Sequence, residues 1–309
     1  MDYQMILVAM IIGAIFQHLN GKRAKESLHM AQLEGYDKEH YDKWLKLNKE
    51  RAYSVKKSNQ PVKKPLVMTD RAKRLYLCNY ILSWAIIVVP TIILGTVGGN
   101  LVVTTVILVV AMAATLYFQP IIMSLAVGVM FPIEKRINYG FYSKAQNKIK
   151  SREDLTVVGI TGSFGKTSTK FIVGTILSEK FNVLNTPESY NTPMGLSKVI
   201  NNQLNDEHQV FVAEMGAKVI GEIRELAELA QPKIGILTSI GPVHIETFKN
   251  IDNIMKTKYE LIEELPTDGV AIFNYDNEYI KKLADKTFKE KMLYGLEKNE
   301  NLDMYAEDI

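Results

Sequence analysis

Lys166 and Thr167 close a glycine-flanked turn, Gly162-Ser163-Phe164-Gly165-Lys166-Thr167-Ser168, directly after the apolar run Leu155–Thr161. This is the composition of a nucleotide phosphate cradle. Two glycines let the backbone turn tightly and aim several N–H groups at phosphate oxygens, the lysine adds a mobile positive charge, and the threonine hydroxyl can ligate Mg²⁺. The turn is shorter than the common form with four residues between its glycines, which narrows the expectation to a smaller group of ATP-dependent enzymes. The bland alternative is a tight glycine turn without a ligand. Against it stands the context, a strand-like run before the turn and the helix-like run Ser168–Glu179 after it.

Three other side chains are candidates for the same chemistry. Glu214 ends the apolar stretch Phe211-Val212-Ala213. A carboxylate there either ligates Mg²⁺, directly or through water, or receives the N–H groups of a helix start. His244 follows Leu237–Val243, again just past a strand-like run. Of the five histidines, His18, His29 and His40 lie in the first half of the chain and His208 in a charged turn, so only His244 is placed at a strand end. A lone histidine is as often structural. Lys258 lies in the helical segment Lys256-Thr257-Lys258-Tyr259-Glu260, where a lysine is ordinarily a solvated charge.

The elements that must position these residues are legible from about Ser151 onward. Leu155–Thr161, Phe181–Asn185, Gln209–Met215, Lys233–Ile240 and Gly269–Asn274 predict short buried strands, with Lys291–Tyr294 a weaker sixth. Helical periodicity separates them, as in Val219–Ala230 and Ile251–Leu265. Such alternation predicts an α/β fold with a mostly parallel sheet covered on both faces, whose ligands bind beyond the carboxyl ends of the strands. Residues 151–309 are therefore expected to form a P-loop domain.

Residues 1–150 have a different character. The whole chain is 47% hydrophobic with a formal charge of +3, but its apolar residues are unevenly spread. The runs at 3–19, 75–97 and 101–118 approach the ~20 residues of a spanning helix. A fourth, 121–131, is separated by Gln119-Pro120 and fits an interfacial or re-entrant helix. Met1–Leu19 lacks a basic start and a small-residue cleavage site, which favours an uncleaved anchor over a secretory signal. Residues 20–74 carry fifteen Lys or Arg against seven Asp or Glu, whereas 95–100 carry no charge. The positive-inside rule makes 20–74 a cytoplasmic loop and places the P-loop half in the cytoplasm. The basic loop can also touch anionic headgroups, or its charge can merely set topology. Its interleaved aromatics, Tyr36, Tyr41, Trp44 and Tyr53, have no companion motif for nucleic acid, so no nucleic-acid partner is expected. With Cys78 as the single cysteine, an intramolecular disulfide and a cysteine zinc cluster are both excluded.

Taken together, these motifs resemble the Mur ligase family, ATP-dependent amide-forming enzymes of peptidoglycan precursor synthesis. The resemblance is carried by Ile160–Ser168, Thr186–Gly195 with Asn191, Ala213–Ala217, Gly241–Glu246, Thr257–Glu260 and Phe273–Asn277, in that order over about 155–283. Within the family, Ala213–Ala217 and Asn274–Asn277 look most like the branch that joins D-Ala-D-Ala to UDP-MurNAc-tripeptide. The resemblance implies that Lys166 holds the β- and γ-phosphates, that Thr167 and Glu214 hold a first Mg²⁺ and His244 a second, and that Lys258 is carbamylated by CO₂ to an anionic ligand or support for the second ion. It also implies that Asn274 and Asn277 contact adenine and that Asn191 lies near the phosphates. The implied reaction runs through an acyl phosphate, which an incoming amine converts to an amide.

The family's N-terminal UDP-sugar domain has no counterpart here, since apolar helices stand in its place. A lipid-linked muropeptide is therefore an alternative to a UDP-linked one. At the other end, Asp303–Ile309 resembles a strand still inside the central domain, and residues 1–309 alone are expected not to complete the ligation. Two other functions stay open from the sequence: a related ligase for another amino acid or polymer, and a non-enzymatic membrane scaffold that binds nucleotide.

Overall fold

In the computed structural model, which describes residues 3–54, 64–96, 101–187, 190–296 and 300–306, six helices precede the first strand. They are α1 (Tyr3–Leu33), α2 (Lys38–Leu47), α3 (Lys49–Tyr53), α4 (Asp70–Thr96), α5 (Leu101–Tyr117) and α6 (Gln119–Lys150). The chain divides into two compact units, Met1–Arg136 and Ile137–Ile309.

The first unit has an apolar core in which Leu28, Ala31, Tyr41, Leu45, Leu75, Met123 and Ala126 are buried. Polar groups are buried beside it. Gln119, at the start of α6, donates to Asn20 Oδ1 at 2.6 Å and to Ser83 Oγ at 3.2 Å, and accepts from Asn79 Nδ2 at 3.1 Å. Thus α1 and α4 meet on one glutamine. The buried Glu134 takes a bidentate pair from Arg74, at 2.7 and 2.8 Å. Removing the glutamine strands its partners in an apolar environment, so Gln119→Ala is expected to destabilise this unit by about 2 kcal/mol, read as a lower thermal midpoint of the full-length protein.

Several sequence expectations change here. Residues 20–53 of the basic loop are largely helical: α1 runs on to Leu33, and Asp37 caps α2 by accepting from His40 N at 2.8 Å. Burial of Tyr41 and Leu45 explains why a charged segment is helical. The short apolar run 121–131 is part of α6, a helix of 32 residues, because the chain stays helical after the apolar stretch ends and buries Ala145 and Ile149 further on. The break at Gln119-Pro120 is real, with α5 and α6 bent by 74°; proline in a first helical turn lacks only an N–H that would be unpaired anyway. Among the described residues one helix, Asp70–Ile93, is by itself long and apolar enough to cross a membrane, and the bent pair Val102–Tyr117 and Gln119–Lys150 can supply another such segment, against three expected runs.

The second unit holds β1 (Thr156–Thr161), α7 (Lys166–Ser178), β2 (Val183–Asn185), α8 (Pro193–Asn202), β3 (Val210–Glu214), α9 (Glu222–Ala230), β4 (Ile234–Leu237), α10 (Ile245–Phe248), α11 (Ile251–Glu263), β5 (Val270–Asn274), α12 (Glu278–Asp285), β6 (Lys291–Gly295) and β7 (Met304–Tyr305). The strands form one sheet in the order β2-β3-β1-β4-β5-β6-β7, and every pairing is parallel. β1 and β3 are rich in β-branched residues and buried almost throughout, as strands covered on both faces must be. One face packs Phe211, Ala213, Leu226, Leu261 and Phe273 into the larger core, and the other packs Val158, Ile160 and Val212 against Val173 and Leu177 of α7. The end of α6 belongs to this unit: Tyr142 Oη donates to Glu225 O at 3.2 Å and Gln146 Nε2 to Glu228 O at 3.1 Å.

The strand order places the site. After β1 the chain moves outward to β2, returns through β3, and then crosses to β4 on the other side of β1. The carboxyl end of β1 is therefore a switch point, where loops leave in opposite directions and open a crevice.

Candidate functional site

The glycine turn leaves β1 at this switch point and is held by the segment after β4. Ser163 N donates to Ser239 O at 2.7 Å, and Phe164 N donates to Ser239 Oγ at 3.0 Å. In return Thr238 Oγ1 donates to Phe164 O at 2.6 Å, and Ser163 Oγ and Gly241 exchange two bonds at 3.0 and 3.1 Å. The turn is thus a braced loop. Gly165 has φ 81° and begins α7 with no side-chain cap, whereas Thr192, Asn250 and Asn277 cap α8, α11 and α12. The start of α7 is left to receive an anion.

Gly162 has no room for a side chain. An added Cβ would collide with Thr238 Oγ1 and lie 3.0 Å from both the backbone N and O of Ser239. Thr238 can rotate, but the Ser239 backbone is fixed by its bond to the loop. Gly162→Ala is therefore expected to cost about 2 kcal/mol, seen in urea unfolding, and to weaken nucleotide binding because the cradle must open.

Lys166 folds back on its own loop, with Nζ 2.8 Å from Gly162 O and 3.4 Å from Ser163 O. Burial holds its pKa below that of an ordinary lysine, and the charge of Glu214 partly opposes the shift. One residue on, Thr167 Oγ1 donates to Glu214 Oε2 at 3.0 Å. Glu214 lies opposite Ile160 in the β1–β3 register, so the sheet itself brings the carboxylate beside the loop. It is 1% exposed. Asn191 Nδ2 donates to its Oε1 at 3.0 Å, and Lys170 Nζ to its Oε2 at 3.0 Å. Of the two sequence readings of Glu214, the helix-cap one has no support: its oxygens face side chains of α7 and the segment before α8.

Lys258 is no solvated charge. It is 2% exposed on α11, and its pKa is pushed down to about 8, first by burial and then by the charge of Lys166. The neighbouring Glu260 has a structural task, accepting from Gly221 N at 2.9 Å and Arg224 N at 3.0 Å at the start of α9. His244 is exposed and takes a left-handed backbone, φ 52°, a conformation uncommon outside glycine and asparagine.

Asn274 and Asn277 are both engaged with the brace of the loop. Asn274 Nδ2 donates to Thr238 O at 2.8 Å and Asn277 Nδ2 to Ile240 O at 3.0 Å, while Asn277 Oδ1 caps α12. The structure thus brings together Lys166, Thr167, Asn191 and Glu214 in direct or near contact, and sets Lys258 within electrostatic reach of Lys166. No group of three His, Cys, Asp or Glu able to hold a metal occurs among the described residues. The pair Thr167–Glu214 still suits Mg²⁺, which keeps waters and takes one or two carboxylates plus phosphate oxygens instead of a protein cage.

Sequence reasoning missed Thr238, Ser239 and Lys170. The first two carried a signal, hydroxyl residues immediately after a strand beside a glycine loop. Lys170 carried none, because its burial depends on a carboxylate 44 positions later.

Residues 160–309 match the model of the Mur ligase middle domain. A UDP-N-acetylmuramoyl-tripeptide–D-alanyl-D-alanine ligase from Synechocystis is 34% identical over 149 residues, 48% of this chain and 33% of the relative. The ligase of the same name from Mycobacterium leprae is 37% identical over 133 residues, 43% of this chain and 26% of the relative. A crystal structure of MurF from Acinetobacter baumannii superposes with a TM-score of 0.50 at 27% identity, covering 54% of this chain and 36% of that one. The chain spans about a third or less of the length of these relatives. Family model, relatives and parallel sheet agree on the same stretch: residues 160–309 match the Mur ligase middle domain.

Proposed function

We propose that this chain is the ATP-binding part of a membrane-associated ligase of the MurF type, which joins D-Ala-D-Ala to a muramoyl tripeptide during peptidoglycan precursor synthesis. The observation that carries the reading is the Thr167–Glu214 contact beside the glycine turn, because a hydroxyl paired with a buried carboxylate there supports a phosphate-bound cation. The names of the relatives supply the substrates.

In this reading the N–H groups at the start of α7 and the Lys166 ammonium bind the β- and γ-phosphates. Thr167 and Glu214 would hold one Mg²⁺, and His244 with Lys258, as its carbamate, would serve a second. Bound Mg²⁺ contributes neutralisation of phosphate charge. A substrate carboxylate oxygen attacks the γ-phosphorus as the bond to the β-phosphate oxygen breaks, releasing ADP. The amine nitrogen of D-Ala-D-Ala then attacks the acyl carbon, phosphate leaves, and the nitrogen gives up a proton. Protein groups in such a transfer chiefly position reactants and stabilise charge. Lys258 suits carbamylation chemically: only the neutral amine attacks CO₂, and a pKa of about 8 leaves roughly a tenth of it neutral at pH 7. Asn274 and Asn277, which shape the segment after β4, would line the adenine side.

A second reading concerns the donor. Apolar side chains on α4 and α5 lie open in the structure, with Leu77, Ile81 and Ile92 58–59% exposed and Val102 and Val110 60–68% exposed. Such a belt suits lipid contact. It favours α4 and α5 as parts of a membrane anchor, and with it a lipid-linked muropeptide as donor; the basic balance of residues 20–74 supports a cytoplasmic side for the sheet unit.

The test is ligation by the full-length, detergent-solubilised gene product, following ADP and the new amide by mass spectrometry with D-Ala-D-Ala and either UDP-MurNAc-tripeptide or its lipid-linked counterpart. Amide formed only when ATP and both substrates are present is the expected result. Nucleotide binding without an amide from either donor would overturn the proposal.

A further inference from the structure

Lys170 lies one turn into α7 and is fully buried, 0% exposed, against a carboxylate that is itself 1% exposed. Its Nζ and the Thr167 hydroxyl share Glu214 Oε2, each at 3.0 Å, while Asn191 holds Oε1 at 3.0 Å. Three donors from two segments thus fix one carboxylate. Burying a lysine costs several kcal/mol unless an anion repays it, and a phosphate-binding role does not require it, since Lys166 and the start of α7 already face the loop. The useful property of Lys170 is its charge, set directly on the oxygen that a cation would need.

We propose that Lys170 is a resident counter-ion for Glu214: it holds the carboxylate oriented before nucleotide arrives, and by like-charge repulsion prevents a divalent ion from settling there alone. The cation then enters together with the nucleotide, whose phosphates supply the extra negative charge that makes Lys170 and the metal compatible. This rests on the assignment of Glu214 as a cation ligand. Lys170 acts through Glu214 and is a positioning residue.

The probe is Mn²⁺ titrated into the full-length protein without nucleotide, followed by loss of the free-ion EPR signal. Two like charges within a few ångströms of one site alter affinity strongly even at an effective dielectric constant of about 20. Lys170→Met is therefore expected to bind Mn²⁺ roughly tenfold or more tightly than the unchanged protein, with Lys170→Arg staying within about twofold of it. Mn²⁺ should also raise the thermal midpoint of Lys170→Met more than that of the parent. Where Lys170→Met does not fold, Lys170→Gln keeps a hydrogen bond to Glu214 without the charge and makes the same comparison. Lys170→Met combined with Glu214→Gln removes both charges, and is expected to fold and to lose the Mn²⁺ site. Unchanged or weaker Mn²⁺ binding in Lys170→Met and Lys170→Gln, with binding abolished by Glu214→Gln alone, overturns the counter-ion proposal. Binding that survives Glu214→Gln overturns the cation-ligand assignment beneath it.

Discussion

Replacing Lys166 by alanine is expected to lower ADP formation by the full-length protein a hundred- to a thousandfold, roughly the effect of deleting one preorganised group that stabilises transition-state charge. Stability should fall by no more than about 2 kcal/mol. Among the described residues the ammonium donates to two carbonyls of its own loop, at 2.8 and 3.4 Å, and the net worth of such bonds is about 1 kcal/mol each. The two expectations together separate chemistry from folding. Single-turnover ADP release and a thermal melt on the same sample read both. Near-normal turnover in a folded Lys166→Ala protein would remove the glycine turn from the reaction.

The second large effect concerns Lys258. On the proposed function, Lys258→Ala should lose most ligase activity, and a short carboxylate such as acetate or propionate should restore part of it by occupying the place of the proposed carbamate. Activity of the parent protein should likewise fall in CO₂-free buffer and return with bicarbonate. The fold responds in the opposite direction. Burial, seconded by Lys166, holds the pKa at about 8, below the 10.5 of a free lysine. The folded state therefore carries a penalised ammonium at pH values below 8, and the penalty fades as pH rises from 8 towards 10.5, where the unfolded chain also loses its proton. In CO₂-free buffer at pH 7, Lys258→Met is expected to be more stable than the parent by on the order of 3 kcal/mol, with the advantage gone above pH 10.5. A methionine variant that is less stable at pH 7 would show that the lysine has a favourable partner in the fold.

The strands that position the site were legible because each is a short run of β-branched and apolar residues bounded by turn-forming ones; β1 to β5 fall within the expected stretches and β6 runs one residue past its own. Glu214 was equally visible, since a single carboxylate ending a buried strand has few explanations. What the residues did not disclose depended on distant partners. Lys258 and Lys170 look like any helical lysines until the sheet closes around them. Asn274 and Asn277 read as ligand contacts, whereas their amides also tie down the carbonyls of Thr238 and Ile240, a task set by strand adjacency. In the first half, hydropathy located the apolar runs but not the continuity of α6, because Ile133–Lys150 changes from an apolar to an amphipathic pattern without a helix-stopping signal, and even Pro132 leaves the helix intact.

The brace on the glycine turn also sets a timetable for synthesis. β1 lies between β3 and β4, strands that begin with Val210 and Ile234, and the loop after β1 takes its shape from Thr238, Ser239 and Gly241. A ribosome adding about 5–20 residues per second reaches those residues several seconds after it has made β1. During that interval the helices of the first unit are already complete, while the apolar strand β1 waits without either neighbour. Nucleotide cannot help the nascent domain through this stage, because the cradle it would bind does not yet exist. Chains released before Gly241 should accordingly be the ones that chaperones and proteases encounter, however much ATP is present.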